Sequence, residues 1–162
     1  MSFWRPLAAF GARNPVADPE IQRIGEAITQ RLRALDLHVV SRAHGRSFQE
    51  IFASSSPHMI VEPDNPAASG IAILLAGAYS PPLVVFERIN SIVPGLGRRM
   101  VAATLDGLRE TPGGFTRLRV NDLSPFQSDG RRWWEHVAAE NADFDWIITH
   151  DEDVTHGGAG AA

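Results

Sequence analysis

The glycine-rich turn at residues 92–100 is the segment whose residue types and spacing are best suited to chemistry. It reads Ile-Val-Pro-Gly-Leu-Gly-Arg-Arg-Met and places Gly95 and Gly97 where a predicted strand ends and a predicted helix begins. A helix N-terminus exposes backbone N–H groups and carries partial positive charge, so it attracts anions. Glycine lets a phosphate approach the backbone closely, and Arg98 and Arg99 can add charge-assisted hydrogen bonds. The segment predicts a phosphate-binding turn, although the same pattern also occurs in ordinary turns.

Composition limits the side chains that could work beside this turn. The 162-residue chain contains no cysteine and no lysine, so all 15 basic residues are arginines. Thiolate nucleophiles, thiolate metal sites, Schiff-base lysines and the Walker-type phosphate lysine are therefore excluded. The only phenol is Tyr79. Proton transfer must use His, Asp, Glu, Ser, Thr, Tyr79 or the backbone, and an anion must be held by N–H groups and arginine.

Charge and hydropathy indicate the kind of partner to expect. The net charge is −4 and the isoelectric point is near 5.8, which argues against a general nucleic-acid binder. The longest apolar runs, such as Ile71–Ala76, are too short to span a bilayer, and the N-terminal residues lack a signal-peptide pattern. The six histidines include no pair at the i, i+4 spacing of a helical metal site. We expect a cytoplasmic protein with no metal, nucleic-acid or membrane ligand.

The elements that must position the turn follow from apolar periodicity and from Gly and Pro breaks. Helices are predicted over residues 19–35, 98–110 and 130–141, the last with Asp129 as its cap, and a helical turn over 47–52. Strands are predicted over residues 37–41, 59–62, 70–75, 83–92, 115–120 and 144–149. The third and fourth strands should form a hairpin, and the strand–helix–strand unit at 83–120 should form a parallel pair with a right-handed crossover. These elements predict one mixed α/β domain over 1–150, followed by a flexible tail over 151–162.

This order of elements resembles the GNAT superfamily of acyl-CoA N-acetyltransferases. In that family the fourth strand leads into an (Arg/Gln)-x-x-Gly-x-Gly/Ala loop that holds the pyrophosphate of acetyl-CoA, and residues 95–101 look like that loop and its helix. Residues 115–120 look like the family's fifth strand, and Asn121 with residues 130–141 looks like its Asn and fourth helix. The resemblance implies an α+β fold with a mixed sheet and acetyl-CoA as co-substrate. The coenzyme contacts that it implies are Ile92, Val93, Gly95, Leu96, Gly97, Arg98, Arg99 and Asn121.

The implied reaction assigns roles to a few further residues. An amine must lose a proton before it attacks a thioester, and Glu87 on the fourth strand is the candidate base. Tyr79, Ser124 or solvent would protonate the departing thiolate, and a backbone N–H near Ile92 would polarise the thioester carbonyl. The acceptor would be a small-molecule or peptide amine, and a homodimer is possible.

Two departures from the family pattern support a different interpretation. Ile92 stands where the family prefers Arg or Gln, and Trp133 and Trp134 occupy the region of its general-acid tyrosine. The alternative is a GNAT-like module without catalysis that serves in binding or assembly, since paired tryptophans suit a protein interface. A third interpretation is an unrelated hydrolase-like α/β domain with a phosphate loop, although the chain has no Gly-x-Ser-x-Gly elbow.

Overall fold

The computed structural model describes residues 17–62, 65–111, 114–121 and 127–148, the last segment with side chains from residue 130 onward. The predicted proton donor Ser124 and the predicted tail over 151–162 lie outside these residues. The described part contains three helices: α1 (Pro19–Arg33), α2 (Leu96–Glu110) and α3 (Gln127–Glu140). It also contains six strands: β1 (His38–Ala43), β2 (Phe48–Ser54), β3 (Gly70–Ala76), β4 (Leu83–Asn90), β5 (Arg117–Val120) and β6 (Asp145–Ile148).

The six strands form a single mixed sheet in the order β1-β2-β3-β4-β5-β6. Neighbouring strands are antiparallel from β1 to β4, whereas β4 with β5 and β5 with β6 are parallel. A parallel pair needs a long connection, which α2 and α3 provide. The predicted mixed α/β class, the β3–β4 hairpin and the parallel β4–β5 pair are confirmed.

The main core lies between the three helices and one face of the sheet. Helix α1 starts at Pro19, which suits the first helical position, and buries Ile21, Ile24, Ile28 and Leu32 at helical spacing. Helix α2 approaches α1 closely at Gly107, where a Cβ atom would lie 2.7 Å from the Ile28 side chain and 3.0 Å from its backbone. The contact between the two helices therefore depends on a glycine.

Aromatic packing fixes α3 against the same sheet face. The ring centroid of Trp134, which is 1% exposed, lies 5.2 Å from that of Phe86 on β4 and 6.2 Å from that of Trp146 on β6. On the other face, strand residues alone form a smaller apolar cluster: Phe48, Leu74, Ala76, Leu83 and Val85. The two faces of the sheet are thus chemically different, and the second carries no helix residue in its cluster.

Two predicted elements are wrong. Residues 47–52 were expected as a helical turn, but residues 48–54 form β2, paired on both sides by β1 and β3. Tertiary pairing supplies backbone partners that the local sequence does not reveal. Residues 59–62 were expected as a strand, but they form a loop in which Met59 adopts a φ of 55°. In this loop the carbonyl of Ile60 accepts a 2.7 Å hydrogen bond from the Ser54 hydroxyl rather than from a strand.

Helix boundaries also differ from expectation at two N-termini. Helix α2 begins at Leu96 rather than at residue 98, with Gly95 as its N-cap. Helix α3 begins at Gln127, so Asp129 lies within the first turn instead of capping the helix. Both helices start two or three residues earlier than the apolar pattern indicates, which is a usual uncertainty for a helix end.

Candidate functional site

Strand β4 separates from β5 halfway along its length. The two strands pair from Leu83 to Phe86, and the N–H of Asn121 adds a last 3.0 Å bond to the carbonyl of Phe86. Strand β5 ends at Val120, whereas β4 continues to Asn90. The last four residues of β4 therefore extend beyond their parallel partner, and Ile89 and Asn90 line a cleft there.

A β-bulge lies at the same point of β4. Ile73 on β3 pairs with Phe86, and the preceding residue Ala72 pairs with Arg88, so Glu87 is the extra residue. A bulge bends a strand and increases its twist, and it re-aims the side chains around it. The bulge thus bends the end of β4, and it changes the direction of the Glu87 side chain relative to the regular alternation of the strand.

A cleft of about 410 Å³ lies between the end of β4, the N-terminus of α2 and helix α3. Its lining includes Asn90, Gly95, Gly97, Gly130 and Trp133. A Cβ atom at Gly97 would lie 3.4 Å from the Ser91 side chain and 3.5 Å from the indole of Trp133. Any side chain longer than a methyl group at this position would have to enter the cleft or displace a wall.

The N-terminus of α2 presents two unused backbone donors to this region. Helix geometry leaves the N–H groups of Gly95–Arg98 without an intrahelical acceptor. The N–H of Leu96 donates to the carbonyl of Val93 at 3.1 Å. The N–H of Gly97 donates to the hydroxyl of Ser91 at 3.2 Å. The N–H groups of Gly95 and Arg98 have no acceptor among the described residues. The turn can therefore offer two N–H groups and the helix dipole to an anion.

The other residues of the predicted coenzyme set have differing positions. Arg98 lines the cleft, but its Nη1 donates 2.8 Å bonds to both carboxylate oxygens of Glu140 on α3. Arg99 is exposed and does not line the cleft, and Leu96 is buried in the core. Ile92 and Val93, 48% and 52% exposed, form an apolar edge, and Val93 lines the cleft.

The N–H of Ile92 is not available to polarise a thioester carbonyl. It donates a 2.9 Å hydrogen bond to the hydroxyl of Ser69, a fully buried side chain next to β3. Asn121 reaches the region only through its backbone bond to Phe86, and its side chain is exposed. These two predicted contacts therefore contribute to holding β4 in place.

A buried pair of carboxyl groups lies at the bulge. Glu87 shares a side-chain hydrogen bond with Glu50, which projects from β2 and is only 8% exposed. Oε1 of Glu87 and Oε2 of Glu50 are buried, and no N–H or hydroxyl group among the described residues donates to them. Two carboxyl groups can share a hydrogen bond only if one of them is protonated, so this arrangement favours a pair that holds one proton.

The pKa values of the pair agree with this requirement. Burial, the negative charge of Glu87 and the hydrogen bond to it raise the pKa of Glu50 to about 8, against the opposing effect of Arg42. Burial also raises the pKa of Glu87, while the hydrogen bond from Glu50 and the charge of Arg88 act to lower it. Both pKa values are raised, which favours a pair that retains one shared proton at neutral pH.

His44 extends the pair into a chain of three titratable groups. Its Nε2 atom lies 3.2 Å from Oε1 of Glu50. Burial and the positive charge of Arg42 lower the pKa of His44. The lowered pKa of His44 and the raised pKa of Glu50 both favour the uncharged forms of these groups, so the contact is weaker than an ion pair. His44, Glu50 and Glu87 thus form a cluster of three titratable side chains.

Tyr79 does not reach this region. It is 58% exposed in the turn between β3 and β4, so it precedes the first residue of β4, whereas the cleft lies beyond the last. Strand β4 has eight residues, which corresponds to about 25 Å at the usual rise of a strand. The structure therefore brings Glu87 and the α2 turn to one half of β4 and leaves Tyr79 at the opposite end.

Sequence reasoning missed Glu50 and His44. A detectable signal was present, because Phe48, Glu50 and Phe52 alternate with a strand period, and an acid flanked at both second neighbours by phenylalanine faces an apolar surface. The expectation of a helical turn over 47–52 concealed it. His44 lies just after β1 and carries no local signal, since only the β1–β2 pairing brings it to Glu50.

No family model, curated protein or solved structure matches the chain. Within the part of the chain that the structure describes, no helix has the length and apolar character needed to cross a membrane. The same residues contain no group of three or more His, Asp or Glu side chains arranged to hold a metal ion. The cleft and the carboxyl pair are therefore the features of the described residues that bear on function.

Proposed function

We propose that the protein is an acyl-CoA-dependent N-acyltransferase with a GNAT-like fold, which uses acetyl-CoA as donor and an amine as acceptor. The observation that carries the proposal is that the pairing of β4 with β5 ends at Phe86, next to the bulge at Glu87, while β4 continues to Asn90. The unpaired end of β4 leads from the buried carboxyl pair to the N-terminus of α2, whose backbone donors suit an anion. A thioester placed along the end of β4 would have its phosphates near the N-terminus of α2 and its acyl group near the carboxyl pair.

Donor binding would use the backbone of the α2 turn. The free N–H groups of Gly95 and Arg98 suit the pyrophosphate of the coenzyme, and Gly97 keeps the approach open. The exposed apolar edge at Ile92 and Val93 suits the pantetheine arm. Because the chain lacks lysine, backbone donors and arginine must supply all of this attraction.

The chemistry would use Glu87 as base. An acceptor ammonium transfers one proton to the Glu87 carboxylate, and the resulting amine attacks the thioester carbonyl carbon. The N–C bond forms and the C–S bond breaks, so the thiolate leaves with the electron pair. The second amine proton neutralises the thiolate through solvent, and the products are an amide and the free thiol.

Some observations favour the non-catalytic alternative, in which the same cleft binds a ligand or partner. The side chain of Arg98 is already paired with Glu140, and Tyr79 is distant from the cleft. Of the two adjacent tryptophans, only Trp133 is available for a partner, since Trp134 is buried in the core. A binding module would retain the affinity for the coenzyme without consuming the thioester.

The test compares three proteins by thermal shift with acetyl-CoA. A ligand that binds only the folded state raises the melting temperature, so the wild type should show a concentration-dependent increase. Gly97→Glu should abolish it through bulk and charge repulsion, and Gly97→Gln, which has the same size and no charge, should retain more of it. No shift of the wild type at millimolar coenzyme, or full binding by Gly97→Glu, contradicts the proposed donor site.

Turnover is tested separately by release of the thiol across a panel of amines. Glu87→Gln should lower the rate at neutral pH and leave the thermal shift with acetyl-CoA nearly unchanged. A shift without thiol release for any amine would support the binding module. A rate that is unaffected in Glu87→Gln would exclude Glu87 as the base.

A further inference from the structure

A second pocket, of about 340 Å³, lies on the sheet face that carries the carboxyl pair. It is formed by β1, β2, the end of β4 and the loop that follows β2. The loop contributes His58, Met59, Ile60, Val61 and Glu62. These loop residues close one side of the pocket.

Two guanidinium groups line this pocket beside the carboxyl pair. Arg42 is directly opposite Glu50 in the β1–β2 register, and Arg88 follows Glu87 at the bulge. Both arginines have exposed side chains, so they are reachable from solvent. Planar guanidinium groups suit a carboxylate, which can accept two parallel hydrogen bonds.

The remaining lining is mainly apolar. Val40 and Phe52 project from the strands, and Met59 and Ile60 face them from the loop. The two other polar members, His58 and Glu62, are exposed, and Glu62 accepts a 3.3 Å hydrogen bond from the Asn65 amide. The pocket therefore combines an apolar wall with two guanidinium groups, and each guanidinium group belongs to a residue that neighbours a member of the Glu50–Glu87 pair.

We propose that this pocket binds the acceptor, and that the acceptor is a free α-amino acid with an apolar side chain. Its carboxylate lies between Arg42 and Arg88, its side chain contacts Phe52 and Met59, and its amino group points towards Glu87. A zwitterion suits this arrangement because its carboxylate can contact the guanidinium groups that line the pocket while its amino group approaches the neighbouring Glu87, whereas a simple amine has no group for the arginines to recognise. The identity of the acceptor rests on the proposed acyl transfer, but binding of the amino acid does not require it.

The experiment measures binding to the full chain by calorimetry without any acyl donor. L-leucine and L-phenylalanine are compared with L-leucinamide, which lacks the carboxylate, and with 4-methylpentanoate, which lacks the amino group. We expect the amino acids to bind and both leucine analogues to bind at least about tenfold more weakly, since each loses one charge-assisted contact. Equal binding of leucine and leucinamide, or no binding of either amino acid at ten millimolar, overturns the proposal.

Variants then locate the contact. Arg88→Gln and Arg42→Gln should each weaken leucine binding by about tenfold and reduce the preference for leucine over leucinamide. The matched control is Arg23→Gln, which removes an exposed arginine from α1 and should leave binding unchanged. Circular dichroism verifies that each variant is folded, and the comparison of ligands on the wild type needs no variant. An unchanged preference in folded Arg88→Gln and Arg42→Gln would place the carboxylate elsewhere.

Failure of this inference is distinguishable from failure of the proposed function. If acetyl-CoA binds and amines are acylated but leucine does not bind, the acceptor assignment alone is wrong. If leucine binds with the expected dependence on the two arginines and acetyl-CoA does not bind, the pocket is an amino-acid site and the acyltransferase proposal is wrong.

Discussion

Replacing Glu50 by glutamine should change how the stability of the protein depends on pH. The pKa of Glu50 is raised from 4.5 to about 8, so the folded state retains a proton that the unfolded state releases. A group of this kind stabilises the fold fully below pH 4.5, and its contribution is lost as the pH rises through its folded pKa. At about 1.36 kcal/mol per pH unit this range corresponds to roughly 5 kcal/mol as an upper limit.

The measurable effect should be smaller than that limit, because Glu87 is only partly buried and shares the proton. We expect the free energy of unfolding of the wild type to fall by about 2 to 4 kcal/mol more than that of Glu50→Gln between pH 5 and pH 8. Glutamine is neutral at both pH values, and its amide can donate to the Glu87 carboxylate. The variant should therefore be close to the wild type at pH 5 and more stable at pH 8.

The assay is urea denaturation at half-unit steps of pH, followed by tryptophan fluorescence. Glu26→Gln is the matched control, because it removes an exposed carboxylate on α1 and should reproduce the wild-type pH dependence. If Glu50→Gln and the wild type lose stability in parallel from pH 5 to pH 8, the carboxyl pair does not hold a proton, and the argument from burial is wrong.

Two further predictions test the packing that positions the site. Gly107→Ala should destabilise the protein by about 1 to 3 kcal/mol in urea denaturation, because the new methyl group would lie within 3.0 Å of Ile28. The higher helix propensity of alanine acts in the opposite direction, so a gain in stability would show that α1 and α2 can separate freely. Asn90→Ala should lower the free energy of unfolding by about 2 kcal/mol in the same assay, because the Asn90 amide donates to the carbonyls of Asn65 and Ala68 at 2.7 and 2.6 Å. A loss below about 0.5 kcal/mol would mean that water replaces both bonds.

Much of the fold could be predicted from local sequence. Helix α1 follows from a proline at its start and isoleucines at helical spacing, and β3 and β4 follow from apolar runs bounded by glycine and proline. Strand β2 could not be predicted in the same way, because its partners are β1 and β3 and its sequence alone is compatible with a helical turn. Local pattern therefore identifies a helix, whose own residues supply its backbone partners, and a strand that is marked by a continuous apolar run. It does not identify a strand such as β2 that lacks such a run.

The candidate site divides along the same line. Gly95 and Gly97 were found because a helix N-terminus needs only neighbouring residues, and the positive φ of Gly95 and the narrow space at Gly97 agree with glycine at both positions. Ile92 was misjudged as a free donor, since its N–H bonds to Ser69, which is 23 residues away in the chain. Glu87 was selected as a base without its partner, because Glu50 lies on a strand that is not adjacent to β4.

The sequence by itself determined the mixed α/β class, the glycine turn before α2, and the restriction to backbone, arginine and carboxyl chemistry that follows from the absence of lysine and cysteine. Only the tertiary structure decided that β4 bulges at Glu87, that it leaves β5 beside the α2 turn, and that Glu50, Glu87 and His44 meet on one face. The reason is physical: helix capping and apolar periodicity depend on residues a few positions apart. The protonation of a buried carboxyl depends instead on which charges and apolar groups distant strands place around it.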